Sequence, residues 1–371
     1  MNNPAASMLQ RLLRFLLWSA HAIAAVATLL WTIGRLANDR WHATQYLFWI
    51  PTPGMVLLLG LLVLFVAALS PLVDRKGRLT HARTGLFAAL VAVSIVFAGE
   101  CNLERFLLKP TPSDPTQPAL RLLVWNPAVD RMDDFAARVA AQDPQLIAIA
   151  NRPGRTDWPA LQDQVGGSRS IARFAHLSLV SRHRIIRWGG TKLGIQGARK
   201  RTTLWHGGGE VSQDKGEALF VELDTRALFG RPLVVWILDL PSDPELSRDA
   251  NFAAATAAIS TFTGRSFTRN PMGLDVEDDP ATTPKGFPPA DLIVGDFNTP
   301  RGSVSIRRVT GDLRHAYDLA GRGWATTWPR RLPLIAIDHA FVADWLDVRR
   351  YATHDLNAGG HLAQVVDVAL K

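Results

Sequence analysis

The sequence has a single cysteine, Cys101, among 371 residues. A lone thiol excludes an intramolecular disulfide, so cysteine usage does not identify the compartment. No internal repeat is present, which argues against a repeat architecture. The glycine run HGGGE at 206–210 lacks the Gly-Lys-Ser/Thr that a phosphate-binding loop requires. His354 and His361 are seven apart and lack zinc-ligand spacing. Charge is scarce in the front third. Residues 1–118 carry 10 Lys/Arg and 5 Asp/Glu, a net of +5, while the remainder carries 31 and 28, a net of +3. The pI near 10.1 therefore does not mark a nucleic-acid surface, because most of the excess lies beside apolar segments. Nucleic acid stays a partner that charge does not indicate.

Where charge is missing, hydrophobic length takes its place. Three segments approach the roughly 20 apolar residues that cross a bilayer. They are Phe15–Ile33, a stretch within Tyr46–Val73 that is strongest over Met55–Leu69, and Thr84–Cys101, which reaches Glu100 early. Trp18, Trp31, Trp41 and Trp49 lie near segment ends, where indoles prefer the interface. Two further segments follow the first, so a cleaved signal peptide fits poorly. With three spans, Arg11, Arg14, Arg75, Lys76, Arg78 and Arg83 share one side; Arg35, Arg40, Arg105 and Lys109 share the other. That excess predicts a cytoplasmic N-terminus and an extracytoplasmic C-terminal region. KPTPSDPTQP, Lys109–Pro118, reads as an extended spacer. The expected division is an anchor over 1–108, a linker over 109–118 and a globular domain over 119–371.

From Ala119 the pattern changes to short apolar runs of strand length: RLLVWNP, QLIAIAN, HLSLVSR, EALFVELD, RPLVVWILDLP, DLIVGDFN, LIAIDHAFVAD and HLAQVVDVAL. Several are continuously apolar, as strands covered on both faces are; the last alternates, which predicts one exposed face. DRMDDFAARVAAQDP sets Met132, Phe135, Ala136 and Val139 on one helical stripe, and LSRDANFAAATAAISTF is a second helix candidate. Residues 263–289 are polar and breaker-rich, as a long surface loop would be.

Polar residues recur where the runs stop. RLLVW ends at Asn126, LIVG at Asp296 and Asn298, LIAI at Asp338-His339, and the last run begins at His361. Each alone has an ordinary explanation: turn-forming Asn and Asp, or a satisfied Asp-His core pair. Strand ends at one sheet edge can instead gather such groups into one pocket.

VGDFNTP, then GWATTWP at 323–329, IDHAFVAD at 337–344 and a Gly-Gly-His before the final strand together resemble the endonuclease/exonuclease/phosphatase superfamily, in its membrane-anchored bacterial form. The resemblance spans 119–371 and is densest from 290 onward. It implies an α/β fold: a four-layer sandwich of two mixed β-sheets flanked by helices, here preceded by three transmembrane helices in a bacterial-type inner membrane. It implies hydrolysis of a phosphoester bond, with Mg²⁺. Asp296 would orient or deprotonate water, Asn298 and Asn126 would hold phosphate oxygens or metal-bound water, and His361 would contact the phosphate with Asp338 fixing its tautomer.

Three positions depart from that pattern. Where the family has a metal-binding Glu after its second strand, this chain has Asn151; where it has Ser-Asp-His, this chain has Gly359-Gly360-His361; where it has Thr-His-Leu, this chain has Asp239. Asn151 offers an oxygen without charge and Gly360 offers no side chain, so Mg²⁺ loses two acidic ligands. Asp239 is either a strand-end turn residue before Pro241 or a carboxylate moved into the pocket. Two functions follow: a membrane-anchored phosphoesterase with an altered metal site, or a non-catalytic descendant that binds a phosphate ligand or a partner at the lipid bilayer.

Overall fold

Apolar runs of about 20 residues satisfy their backbone internally only as helices. The computed structural model shows them so. It describes residues 4–73, 80–107, 119–128, 132, 134–153, 158–165, 171–196 and 214–371. The spacer at 109–118 and the HGGGE stretch at 206–210 lie outside the described residues. The chain forms two compact units, Met1–Leu108 and Lys109–Lys371.

The first unit holds α1 (Pro4–Ala37), α2 (His42–Phe48), α3 (Thr52–Val73), α4 (Thr80–Glu100) and the short α5 (Glu104–Leu107). Met8–Ala37, Thr52–Val73 and Thr80–Glu100 are each long and apolar enough to cross a membrane. Leu17, Ala20, Ala24 and Trp31 recur at helical spacing along α1 and pack on Met55, Leu59 and Val66 of α3 and on Leu86 and Val93 of α4. Phe15, Trp18, Leu57, Leu61, Leu64 and Ile95 face outward, as side chains meeting lipid would. Arg35 and Glu100 form an ion pair at 3.1 Å, and the Thr52 hydroxyl donates to Glu100 at 2.9 Å.

Among its described residues the second unit has fourteen strands. Sheet A takes β1 (Ala119–Trp125), β2 (Leu146–Ile149), β3 (Ile171–Phe174), β4 (Leu177–Ser181), β13 (Leu346–His354) and β14 (Ala363–Leu370), in the order β13-β14-β1-β2-β4-β3. Sheet B takes β5 (Ile185–Gln196), β6 (Asp214–Leu223), β7 (Leu233–Asp239), β8 (Ser266–Arg269), β9 (Asp275–Glu277), β10 (Leu292–Asp296), β11 (Arg314–His315) and β12 (Asp338–Val342), in the order β11-β12-β10-β7-β6-β5-β8-β9. Each sheet is mixed: β1 runs parallel to β2 and β7 parallel to β10, and the other pairs are antiparallel.

Four layers result. Between the sheets lies a core of Leu120, Leu122 and Val124 from sheet A against Val235, Ile237 and Val294 from sheet B, among others. Outside sheet A pack α6 (Phe135–Ala140) and α7 (Trp158–Val165), with Met132, Phe135, Ala136 and Val139 all inward as their spacing predicts. Outside sheet B pack α9 (Arg248–Ser260) and α10 (Arg307–Thr310); α8 (Arg226–Phe229) and α11 (Ala316–Ala320) are short connectors. The Ser247 hydroxyl caps α9 by accepting from the Ala250 amide.

Two expectations change. β14 is buried on both faces, because β13 and β1 flank it and the α6 side covers its outer residues. Residues 263–289 are not all loop: β8 and β9 pair within them as an edge hairpin, where pairing with β5 decides the conformation of a polar stretch.

Candidate active site

Side chains alternate across a strand, so each inward apolar stripe extends to a defined end residue. Leu120, Leu122 and Val124 lead to Asn126 on the inter-sheet face. On sheet B, Val235 and Ile237 lead to Asp239, and Leu292 and Val294 lead to Asp296. Running the other way, Val342 and Ala340 lead back to Asp338, and Leu223, Val221 and Leu219 lead back to Glu217. Register makes these ends level. Glu217 pairs with Asp239, Asp239 with Asp296, and Asp296 with Asp338. Four carboxylates therefore stand side by side on four adjacent strands, at about 4.8 Å per step.

Gly295 permits that register. Its φ is +132°, and a Cβ there would fall 2.0 Å from the Leu238 carbonyl oxygen. Gly359 does the same for the facing loop: φ is +76° and a Cβ would lie 2.5 Å from the Pro127 oxygen. The Gly360 amide donates to Pro127 O at 2.8 Å, and the Arg330 amide donates to Gly360 O at 2.8 Å, which fixes the approach to His361.

Two hydrogen bonds cross between the sheets at this end. Asn126 Nδ2 donates to Asp296 Oδ2 at 2.7 Å, and His361 Nδ1 donates to Asp338 Oδ2 at 2.8 Å. The Asn298 amide adds a bond to Asp296 Oδ1 at 2.8 Å. Trp125 Nε1 donates to the His361 carbonyl at 3.2 Å, and Thr327 Oγ1 accepts from the Ile337 and Asp338 amides. The flanks of the row are neutralised: Lys192 pairs with Glu217, and His361 pairs with Asp338. The two middle carboxylates, Asp239 and Asp296, have no such cation among the described residues.

The electrostatics follow from this crowding. Burial, then the charge of Asp338, raises Asp296 to about 7 against the opposing pull of His361, Asn298 and Asn126. Asp239 is raised well above the usual range by burial first and then by Asp296, Glu217 and Asp338. For His361 burial disfavours the charge, but the charge and hydrogen bond of Asp338, with Asp296 and Asp239, outweigh it and lift the ring to about 9.

The structure thus brings Asn126, Asp296, Asp338 and His361 together. Asn298 has a second task, since its Nδ2 donates to Leu240 O at 2.7 Å and ties the 296–298 turn to the end of β7. Asn151 stands just past β2 with φ at +48°, and no hydrogen bond joins it to the carboxylates. Asp239 is no turn residue: it ends β7 beside Asp296. Glu217 was missed altogether. The two-residue period of EALFVEL would have found it, because Leu219, Val221 and Leu223 point where Glu217 points. Asp338 and His339 face opposite ways; His339 joins Phe297, Phe341 and His315 on the outer side of sheet B.

Asp296, Asp338 and His361 offer ligand atoms within 4.8 Å of one another, so a cation can be held at this point. The site also fits a divalent cation on a second ground. Asn126 is 2% exposed, and its Oδ1 has no hydrogen-bond partner although its Nδ2 is anchored on Asp296. A buried, unpartnered amide oxygen on a residue bonded to Asp296 is a hard-cation donor at the same end of the row.

No protein-family model and no curated protein matches the sequence. Among solved structures, 68% of the chain is similar to all of a functionally unknown conserved protein from Enterococcus faecalis V583, at 17% identity and a TM-score of 0.44. The same share is similar to 72% of an endonuclease/exonuclease/phosphatase from Beutenbergia cavernae DSM 12333, at 16% identity and a TM-score of 0.41. It is also similar to 86% of the inositol polyphosphate 5-phosphatase domain of SPsynaptojanin, solved with inositol (1,4)-bisphosphate and calcium ion, at 11% identity and a TM-score of 0.33. One of these neighbours bears the name of the superfamily that the motifs resemble.

Proposed function

We propose that this chain is a membrane-anchored phosphoester hydrolase. The observation that carries the reading is the buried His361–Asp338 pair set beside Asp296, with both Asp296 oxygens fixed by amide donors. Phosphoester cleavage needs an oriented water, a positive group on the phosphate and stabilisation of the leaving oxygen. His361, charged up to about pH 9, supplies the positive group, and Asp338 holds its Nδ1 proton in place. Asp296, raised to about 7, is tuned to accept a proton from water near neutrality. Asn126 and the Asn298 amide keep that carboxylate from rotating. The carboxylate row around Asp239 would hold Mg²⁺, whose chemistry here would be neutralisation of phosphate charge, with Asp296 left as the proton acceptor.

A second reading, phosphate binding without turnover, is favoured by Asn151 and Gly360, neither of which supplies a carboxylate. One assay separates the two. The full chain in nanodiscs is given a generic phosphodiester with Mg²⁺, Mn²⁺ or chelator, beside His361→Ala. Turnover that falls by about 10²–10⁴-fold in the variant supports hydrolysis. Equal rates with and without His361, under all three conditions, would leave the binding reading.

The positive-side count supports a cytoplasmic N-terminus and an exported C-terminal unit. Arg35, counted on the opposing side, has its charge offset by Glu100.

A further inference from the structure

Residues 322–335 form a hairpin-like rim directly beside the site. Thr327 sits at its base: its hydroxyl takes the Asp338 amide, and its carbonyl accepts from the Leu362 amide at 2.8 Å. The rim is stapled upon itself. Trp324 Nε1 and the Thr326 hydroxyl both donate to Pro333 O, at 2.6 and 2.9 Å, and the Trp328 and Ile335 backbones exchange hydrogen bonds of 3.0 Å. Yet this fixed scaffold holds large apolar groups in solvent: Trp324 is 38% exposed, Trp328 42%, Leu332 65% and Leu334 37%. Arg322 and Arg331 are exposed among them, and neither pairs with a carboxylate among the described residues.

We propose that this rim docks on the surface of an anionic bilayer, so that the mouth of the site faces lipid headgroups. Three arguments select the bilayer. Indoles placed with leucines and unpaired arginines are the side chains that the water–lipid interface favours. The chain supplies its own bilayer, having three helices fit to cross one. Reach is no obstacle: the backbone from Leu107 to Ala119 can extend at most about 40 Å, comparable with the roughly 45–50 Å width that size scaling gives the second unit. Many faces of the unit are therefore within reach of lipid, and surface chemistry decides among them. The competing apolar patch is Met272, Leu274 and Val276 on the β8–β9 edge. It stands among Asp275, Glu277, Asp278 and Asp279, the first three paired with Arg269, Arg265 and Arg187, so it carries no net positive charge to draw it to an anionic surface.

The test uses the full chain in nanodiscs of mixed phosphatidylglycerol and phosphatidylcholine. A nitroxide is attached at Leu332→Cys, or at Leu274→Cys as the control; both sites are exposed, so neither change touches a core. Cys101 is buried and serves as the unlabelled background. Collision rates with oxygen, which concentrates in lipid, and with a water-soluble nickel chelate then report depth. The expected result is a several-fold higher oxygen-to-nickel ratio at 332 than at 274. That difference should shrink in pure phosphatidylcholine and in an Arg322→Ser/Arg331→Ser background. Equal ratios at the two sites, or a higher ratio at 274, would overturn the proposal. Because the readout needs no turnover, its outcome is independent of the hydrolase reading.

Discussion

Asp338→Asn is the substitution that most directly tests how the site works. It keeps the shape of the side chain and removes the charge and the acceptor strength that hold His361 protonated. With Asp338, the ring titrates at about 9; without it, burial is the largest remaining influence and pushes the other way. A return to the ordinary value of about 6.5 costs the charged ring roughly 3.4 kcal/mol of preference. At pH 8 the charged fraction then falls from roughly 90% to roughly 3%, so kcat/KM should drop by about 30-fold from this cause alone. Asp338 also raises Asp296, so the variant's acidic limb moves downward with the alkaline one. The signature is a displaced bell: on the hydrolase reading the natural protein should be most active between about 7 and about 9, where Asp296 is ionised and His361 charged. The variant's optimum should lie about two units lower, with part of the activity regained there. The assay is the pH dependence of phosphodiester hydrolysis, supported by the His361 imidazole chemical shifts. An alkaline limb that stays near 9 in the variant would refute the assignment of Asp338 as the group that charges His361.

Asp239→Asn should weaken binding of Mn²⁺, read as free ion by electron paramagnetic resonance, by at least about tenfold, since it removes from the row a carboxyl group that a cation can ionise; an unchanged affinity would move the cation elsewhere. The neutral His315–His339 pair should make the fold sensitive to acid. The Tyr317 amide donates to His315 Nδ1, His315 Nε2 donates to His339 Nδ1 at 3.0 Å, and His339 Nε2 donates to Thr299 O at 2.8 Å, so neither ring can take a proton without breaking this chain. Burial lowers His339 to about 4 and His315 well below its usual value. Unfolded histidines bind protons below about 6.5, so stability is lost as pH falls from there toward 4, on the order of 3 kcal/mol for His339 alone. Thermal unfolding at pH 7 and 4.5, compared with a His315→Gln/His339→Gln variant, checks the slope; a variant with the same loss would exclude the pair as its source. Gly295→Ala should cost about 2–4 kcal/mol or prevent folding, because its φ and the Leu238 carbonyl both forbid a Cβ; a wild-type melting temperature would show that β7 and β10 can part.

Much of this was legible in residue order. Continuous apolar runs marked β1, β2, β4, β6, β7 and β10, and the 3.6-residue spacing of Met132, Phe135, Ala136 and Val139 marked the face of α6. What hid was set by neighbours rather than by local pattern. β5 contains GGTK and β8 reads SFTR, sequences with weak strand preference that become strands because β6 and each other supply the ladder. LIAI before Asp338 hid in the opposite sense. It is apolar enough for a strand, but β12 begins only at Asp338, where pairing with Asp296 begins.

The site was half legible for a related reason. A polar residue that ends an apolar run is visible as a break, and so Asn126, Asp296 and Asp338 stood out. Asp239 ends its run equally cleanly, but Pro241 behind it offered a turn as a sufficient local cause. Glu217 comes before its run, where an acidic residue attracts no notice. Parity is the stronger rule, because it ties each residue to the face its strand buries. Applied to 217-219-221-223, 233-235-237-239, 292-294-296 and 338-340-342, it puts all four carboxylates on one face before any pairing is known. Register then needs only the β7–β10 contact at Gly295 to level the middle two. Read this way, Asn151 is less a lost ligand than a sign of where charge has gone. Sheet A supplies a neutral oxygen at Asn126, and the carboxylates gather across sheet B, with Asp239 beside Asp296 in the middle of the row.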